Sequence, residues 1–242
     1  MSFKIIHHKF IEIDSTNSWA IRNFHSFDCN AITIITAKKQ TNGRGRLNRQ
    51  WESPFDLNLY TTYGFFVEEN TFALPNIPQI LALSCIQSLA NLGVEAKIKW
   101  PNDLIVNDKK IAGILCEVKL ADKQRFVALG IGINVNVDEK FLKKINKPAT
   151  SILLEIGSKC ELDTLQILLN KFFFEKLDLL FKKGFSHFFQ DFQDRIYRPE
   201  ELYFHDNTKI VKGSIHSFNQ DGSISLLLED GSIKTFHYGE IV

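Results

Sequence analysis

With 242 residues, 44% hydrophobic and 24% charged, the chain has an ordinary globular composition, enough for one large domain and a small appendage. A formal charge of +1 provides no overall field for nucleic acid, and apolar runs such as Ile111 to Cys116 fall far short of a bilayer span. Cys29, Cys85, Cys116 and Cys160 form no CxxC pair and the seven histidines show no ligand spacing, so no disulfide framework or structural zinc is expected.

The N-terminus is strand-like rather than signal-like, which predicts a cytoplasmic protein with no membrane contact. Phe3 to Ile13 reads as a strand, and Asp14-Ser15-Thr16-Asn17 offers several N-caps for a helix through Trp19 and Ile21. Ala31 to Ala37 is a second strand. Lys38 to Pro54 is polar, contains Gly and Arg and lacks periodicity, so it is a long loop before the β-like pattern of Leu57 to Phe66. Pro78 to Leu92 has apolar residues at helical spacing, with Gly93 as its stop. Ala96 to Trp100, Leu104 to Val106, Lys110 to Leu120 and Phe126 to Val137 follow as antiparallel strands, with Asn107-Asp108 as a tight turn. Leu162 to Lys183 is the longest helix and presents a broad apolar surface to the sheet. From Pro199 onward, turn signals at Asp206-Asn207, Asn219 to Gly222 and Asp230-Gly231 recur at roughly the 10-residue spacing of a small barrel. The predicted architecture is α+β followed by a small all-β domain, divided near Tyr197.

Four segments carry chemistry. In Gly43-Arg44-Gly45-Arg46, alternating glycines free backbone N–H groups to approach an anion while two guanidiniums add charge; alone, the same residues also read as a solvated basic turn or an RNA contact. Lys99-Trp100-Pro101-Asn102-Asp103 is a bend that could be structural, or a polar ligand wall at the end of a core strand. Lys110 opens a strand that Gly113 interrupts, which fits a ligand passing close by, a bulge, or a solubilising hairpin lysine beside Lys109. Gly130 to Asn136 lacks the spacing and the following helix of a dinucleotide loop, and its alternation reads as a strand with Asn134 facing a site or a partner strand.

Taken with Trp51, Glu117 and Pro148-Ala149-Thr150-Ser151, and in this order, these motifs resemble the biotin protein ligase family over essentially the whole chain. The resemblance implies a mixed, largely antiparallel sheet with helices, the catalytic fold shared with lipoate ligases and class II aminoacyl-tRNA synthetases, over residues 1–196. A small C-terminal SH3-like β-barrel would occupy 197–242. It implies that ATP and biotin form biotinyl-5′-AMP, and that biotin then passes to a lysine of the biotin carboxyl carrier protein of acetyl-CoA carboxylase or a related carboxylase.

By resemblance, Ser15, Thr16, Asn17, Gln40, Gly43, Arg44, Gly45, Arg46, Lys110 and Gly113 bind biotin, with the Gly43 to Arg46 loop folding over it. Arg44, Arg46, Trp51, Lys99, Asn102, Asp103, Lys110 and Asn134 face ATP or the adenylate, and Arg46 and Lys110 are the catalytic cations. Mg2+ is expected to arrive with ATP, without protein ligands of its own. Asn48 stands where family loops often have glycine, and Asn tolerates left-handed backbone. Cys116 replaces a usual aliphatic residue. Only about a dozen residues precede Asp14, too few for a helix-turn-helix, so no specific nucleic acid and no repressor role is expected; a homodimer stays open. Two rivals are a lipoate or octanoate transferase or ligase, which shares the fold, and a non-catalytic RNA-binding module, which the near-neutral charge disfavours.

Overall fold

The structure, a computed structural model, describes residues 3–145 and 147–242. Its main element is a seven-stranded sheet. In chain order the strands are β1 (Lys4–Ile13), β2 (Ala31–Gln40), β3 (Leu59–Glu68), β4 (Lys97–Lys99), β5 (Asp103–Val106), β6 (Lys109–Ala121) and β7 (Gln124–Ile133). They are arranged β1-β2-β3-β7-β6-β5-β4. β1 and β2 pair parallel and every other neighbour pairs antiparallel, so the sheet is mixed and largely antiparallel.

Side chains alternate between the two faces with period two, and the two faces have different fates. Leu129, Ile131 and Ile133 of β7 and Tyr63 and Phe65 of β3 enter the main core with α2 (Ile77–Ala90) and α5 (Leu162–Lys183). α2 is buried on nearly all sides, wider than the single apolar face its spacing predicts, because it is held between the sheet and α5. On the opposite face, Phe126 and Ala128 pack with Ile35 against Ala20 and Phe24 at α1 (Thr16–Asn23). Among the candidate caps, Ser15 is the one used: it is extended and its hydroxyl accepts from Ser18 N.

Several boundaries differ from the sequence expectation. β2 runs on to Gln40, taking the first residues of the expected loop. β7 ends at Ile133 rather than Val137, because Val135 N leaves the ladder to bond Asn58 Oδ1. The short helices α3 (Glu139–Leu142), α4 (Ile152–Ile156) and α6 (Phe189–Asp194) were not predicted. Asn107 and Asp108 both have positive φ, as a two-residue turn between β5 and β6 requires.

The C-terminal strands β8 (Leu202–His205), β9 (Ile210–Phe218), β10 (Ile224–Leu228), β11 (Ile233–Phe236) and β12 (Glu240–Ile241) form an antiparallel sheet ordered β11-β10-β9-β8-β12. Among the described residues it does not close on itself, so the expected barrel is an open five-stranded sheet. Its turns share one device: Asp206, Asp221 and Asp230 each accept from the backbone N–H and hydroxyl two residues on. The sheet joins the main core through Trp100, whose Nε1 donates to Gly222 O at 3.0 Å and whose ring packs on Phe204.

Candidate active site

Sheet register builds the floor of a cavity of about 550 Å3. Tyr60 pairs with Gly132, Gly132 with Gly113, Gly113 with Asp103 and Asp103 with Lys99, so one row crosses five strands on the α1 face. Two glycines meet at its centre, leaving a trough where side chains from above reach backbone. A Cβ on Gly132 would lie 2.4 Å from Trp51 Cε2, and one on Gly113 2.9 Å from Lys110 Nζ and 3.0 Å from Trp51 Cζ3. The space at Gly113, expected for the biotin ring or chain, is therefore shared with Trp51 and Lys110.

A β-bulge aims Lys110. Residues 110 and 113 would face opposite sides of a regular strand, but the register passes from Ile105↔Lys110 to Leu104↔Ala112 and leaves Ile111 as the extra residue. Lys110 thereby shares the face of Gly113. Its Nζ lies 2.6 Å from Asp103 Oδ1 and 5.2 Å from the Trp51 ring centroid. Trp51 Nε1 is buried with no hydrogen-bond partner among the described residues, a donor aimed into the cavity wall.

One end of the cavity is a neutral hydrogen-bonding cluster at the start of α1. Thr16 N and Oγ1 both donate to Gln40 Oε1, at 2.9 and 3.2 Å, and Gln40 Nε2 donates to Ser53 Oγ at 3.0 Å. Thr62, a residue the sequence reading did not single out, places its hydroxyl 2.8 Å from Thr16 Oγ1 and 2.6 Å from Asn17 Oδ1. Asn17 borders the cavity, yet its amide is engaged by the protein: Nδ2 donates to Leu115 O, Glu117 Oε2 and Ala128 O. The amide sits against Gly130, where a Cβ would come within 2.1 Å of Oδ1. Asn17 thus ties α1 to the sheet rather than presenting a free amide to biotin.

The other end is cationic and comes from the loop after β2. Gly43 stands behind the cavity wall rather than on it: its carbonyl accepts from Trp51 N, and a Cβ would meet Trp51 O at 2.4 Å. Gly45 lines the cavity, and Leu47 and Asn48 follow with φ of 54° and 58°. Asn48 thus takes the left-handed backbone expected of it, whereas Leu47 holds a conformation that costs a Cβ-bearing residue about 1–2 kcal/mol.

Arg44, expected to supply charge to an anionic ligand, is instead clamped: its guanidinium bonds both carboxylate oxygens of Glu117, at 3.0 and 3.2 Å, and Ser18 Oγ. Arg46 donates to neutral oxygens, Asn102 Oδ1 at 3.1 Å and Gly239 O at 3.4 Å. Burial lowers its pKa, opposed by Glu240 and Asp103. Arg49 and Glu240, both missed in the sequence, pair at the cavity rim.

Lys99 and Asn102 line the cavity from β4 and the bend after it, where the Trp100–Pro101 peptide is cis. Asn102 Nδ2 donates to Ile114 O, which holds the bend on β6. Asn134 also borders the cavity, but its Nδ2 donates to Thr150 O at 3.0 Å and Lys110 O at 3.5 Å. It pins the Pro148-to-Ser151 segment, which bridges β6 at Lys110, instead of turning its amide to an adenylate. Burial pushes the Cys116 thiol up to about 12, so it behaves as an apolar filler.

The cavity joins a neutral donor-acceptor end, a glycine-floored trough and a cationic rim, an arrangement suited to a bipartite ligand with a polar head and an anionic tail. Comparison with known proteins places it. The model of the biotin/lipoate A/B protein ligase family matches residues 9–136, more than half of the chain. The bifunctional ligase/repressor BirA of Escherichia coli (strain K12) is 31% identical over 235 residues, 95% of this chain and 71% of the relative. The biotin--[acetyl-CoA-carboxylase] ligase of Mycobacterium tuberculosis is 33% identical over 129 residues, 51% of this chain and 46% of the relative. The biotin protein ligase of Aquifex aeolicus, solved with biotin and ATP, superposes with a TM-score of 0.79 at 28% identity, covering 98% of this chain and 97% of that one. The chain belongs to the biotin/lipoate A/B protein ligase family, among its biotin protein ligases.

Proposed function

We propose that the chain joins biotin to ATP, forming biotinyl-5′-AMP and pyrophosphate, and then transfers the biotinyl group to one lysine of a biotin carboxyl carrier protein. The observation that carries the reading is the Tyr60–Gly132–Gly113–Asp103–Lys99 row, which leads from the hydroxyl and amide cluster of Ser15, Thr16 and Gln40 to Lys110 and Arg46. A ureido group has both donors and acceptors and suits the first end; a carboxylate meeting an α-phosphate needs the second. The similarity to the A. aeolicus enzyme solved with biotin and ATP, and to the M. tuberculosis biotin--[acetyl-CoA-carboxylase] ligase, supports biotin, ATP and a carboxylase carrier as the substrates.

In the first step a biotin carboxylate oxygen attacks the α-phosphorus and the bond to the β-phosphate oxygen breaks. Two anions must approach, and Lys110 and Arg46, beside the Gly45-to-Trp51 segment, offset their repulsion. Asp103 orients the Lys110 ammonium; Asn102 orients Arg46. In the second step the lysine amine attacks the biotinyl carbonyl carbon, AMP leaves and the amine proton passes to solvent.

Among the described residues no group of three or more His, Cys, Asp or Glu side chains is placed to hold a metal ion. Magnesium enters the proposal as the counter-ion of ATP. We take residues 1–196 as the catalytic unit and 197–242 as a C-terminal unit.

The test incubates the purified chain with biotin, ATP, magnesium and a carrier domain, and probes the carrier for covalent biotin with streptavidin. Labelling that needs both biotin and ATP is the expected result. Labelling by lipoate or octanoate in place of biotin, or no labelling, would overturn the reading.

A further inference from the structure

The last three residues of the chain, Glu240, Ile241 and Val242, line the same cavity as the loop after β2, although nearly the whole sequence separates them. Glu240 is the contact between the two. Both oxygens of its carboxylate take hydrogen bonds from the two Nη groups of Arg49, a fork-to-fork pair in which Arg49 is 45% and Glu240 21% exposed. Next to it, Arg46 reaches the carbonyl of Gly239. Arg49 holds the Glu240 carboxyl below the usual carboxylate range, and Lys147 and Arg46 add to the effect. A carboxylate paired with Arg49, with Arg46 beside it, therefore stands at the rim of a cavity whose proposed substrate carries a triphosphate.

We propose that Glu240 is a resident stand-in for nucleotide phosphate: its carboxylate occupies the Arg49 guanidinium, beside Arg46, in the empty enzyme and leaves when a polyphosphate enters. The inference rests on ATP being a substrate, as proposed above. Physical reasons support both halves of the exchange. Without an anion, the neighbouring Arg46 and Arg49 guanidiniums repel each other, so an internal carboxylate keeps the pair assembled. A triphosphate or pyrophosphate brings several negative charges to the same forked donors and displaces a single carboxylate.

Glu240 sits on a short edge strand anchored by the buried Ile241, so the exchange needs its side chain to turn away rather than the strand to move. β12 is two residues long, paired only with β8 through Glu240↔His205 and Ile241↔Phe204, and Val242 N adds one bond to Tyr203 O at 2.8 Å. It is an edge strand in the open sheet. Gly239 before it has φ of +127°, a conformation that a side chain rarely adopts, and a Cβ there would meet Phe204 and His205.

The experiment measures ATP, inorganic pyrophosphate and biotin binding separately by titration calorimetry on the full chain, for wild type, Glu240→Gln, Arg49→Gln and the double variant, with circular dichroism as the folding control. Glu240→Gln keeps shape and removes the competing charge, so ATP and pyrophosphate should both bind roughly fivefold more tightly, the worth of one partly exposed ion pair, with biotin affinity unchanged. Arg49→Gln should weaken both phosphates, and the gain from Glu240→Gln should vanish in its background. Unchanged or weaker phosphate binding by a folded Glu240→Gln chain overturns the inference. So does a gain that survives Arg49→Gln, or an equal gain for biotin, which would mean a generally looser loop. A gain for pyrophosphate without one for ATP would likewise overturn the claim that the position belongs to the nucleotide. Wild-type chain that binds biotin but no ATP would overturn the functional reading itself, an outcome separate from unchanged affinity in the variant.

Discussion

Removing the Lys110 ammonium is the sharpest perturbation of the proposed chemistry, because the structure shows that it does two things. Lys110 Nζ is 2.6 Å from Asp103 Oδ1, with the side chains 31% and 29% exposed. In Lys110→Ala the site loses a cation and also unmasks the Asp103 carboxylate, which then repels the incoming carboxylate and phosphate. A unit charge pair about 4 Å apart at an effective dielectric of ~20 interacts by ~4 kcal/mol, and solvent at a third-exposed site reduces this. Single electrostatic donors in enzyme sites are worth about 3 kcal/mol, on the order of 100-fold in rate. Adding Asp103→Asn to Lys110→Ala removes the unmasked charge and should return roughly tenfold of the lost rate, about 1.4 kcal/mol.

The assay is pyrophosphate release in a single turnover, with circular dichroism for folding. Lys109→Ala should change the rate little, since Lys109 is exposed and paired with Val106 ahead of the bulge. Lys110→Arg should rescue only in part: the ammonium sits between the Gly113 backbone and the Trp51 ring, and a planar guanidinium does not fit that space. Near-normal adenylation by folded Lys110→Ala, or an equal loss from Lys109→Ala, would refute the reasoning. So would a double variant slower than Lys110→Ala alone, because the unmasked carboxylate would then not be the source of the loss.

Three further outcomes follow from the packing. Gly132→Ala places a methyl 2.4 Å from Trp51 Cε2, so it should cost about 1–3 kcal/mol by thermal melting and weaken biotin binding, and Trp51→Ala in the same chain should restore the melting temperature; an unchanged melt would remove Trp51 from the trough. Asn17→Ala leaves the carbonyls of Leu115 and Ala128 without their amide partner, a loss of about 1–3 kcal/mol readable as a lower urea midpoint, whereas a loss of biotin affinity alone would make Asn17 a ligand contact rather than a clamp. At neutral pH a thiol reagent should label the exposed Cys29 in the native chain but not the buried Cys85, whose pKa burial raises, until urea unfolds it; rapid native labelling of Cys85 would contradict its place in α2.

What the sequence made legible is what local rules decide. The strand and turn order from β4 to β7 follows from period-two alternation and from Asn107-Asp108, and α5 follows from its apolar spacing. The residues around the cavity were legible because their motifs resemble a family. The directions in which they point were not. That Arg44 closes on Glu117, that Asn134 turns to Thr150 O and that Gly43 backs onto Trp51 depend on which strands become neighbours and in what register. Register also explains an omission: Thr62 reaches the site only because β3 and β7 align it with Gly130. Glu240 gives no local signal at all, since it meets Arg49 only once both sheets are assembled.

The same distinction between local and assembled structure separates the carboxylates at the site. Asp103 and Glu240 each face a cation, and by charge alone they are equivalent. Asp103, however, lies on β5 in a row flanked by strands on both sides, opposite Gly113 of β6 and Lys99 of β4, so moving it would break the floor of the cavity. Glu240 lies on a two-residue edge strand with a glycine before it. Glu117, which holds Arg44, is inside the β6–β7 ladder opposite Ala128 and is as fixed as Asp103. Of the site cations paired with carboxylates, Arg44 and Lys110 have partners held inside ladders and Arg49 has one at a sheet edge. The fixed carboxylates orient; on the proposal above, the edge one yields. Phosphate should be recognised first where the exchange disturbs least hydrogen bonding, at the Arg49 rim, and Lys110 should act from a position already set by Asp103 before any ligand arrives.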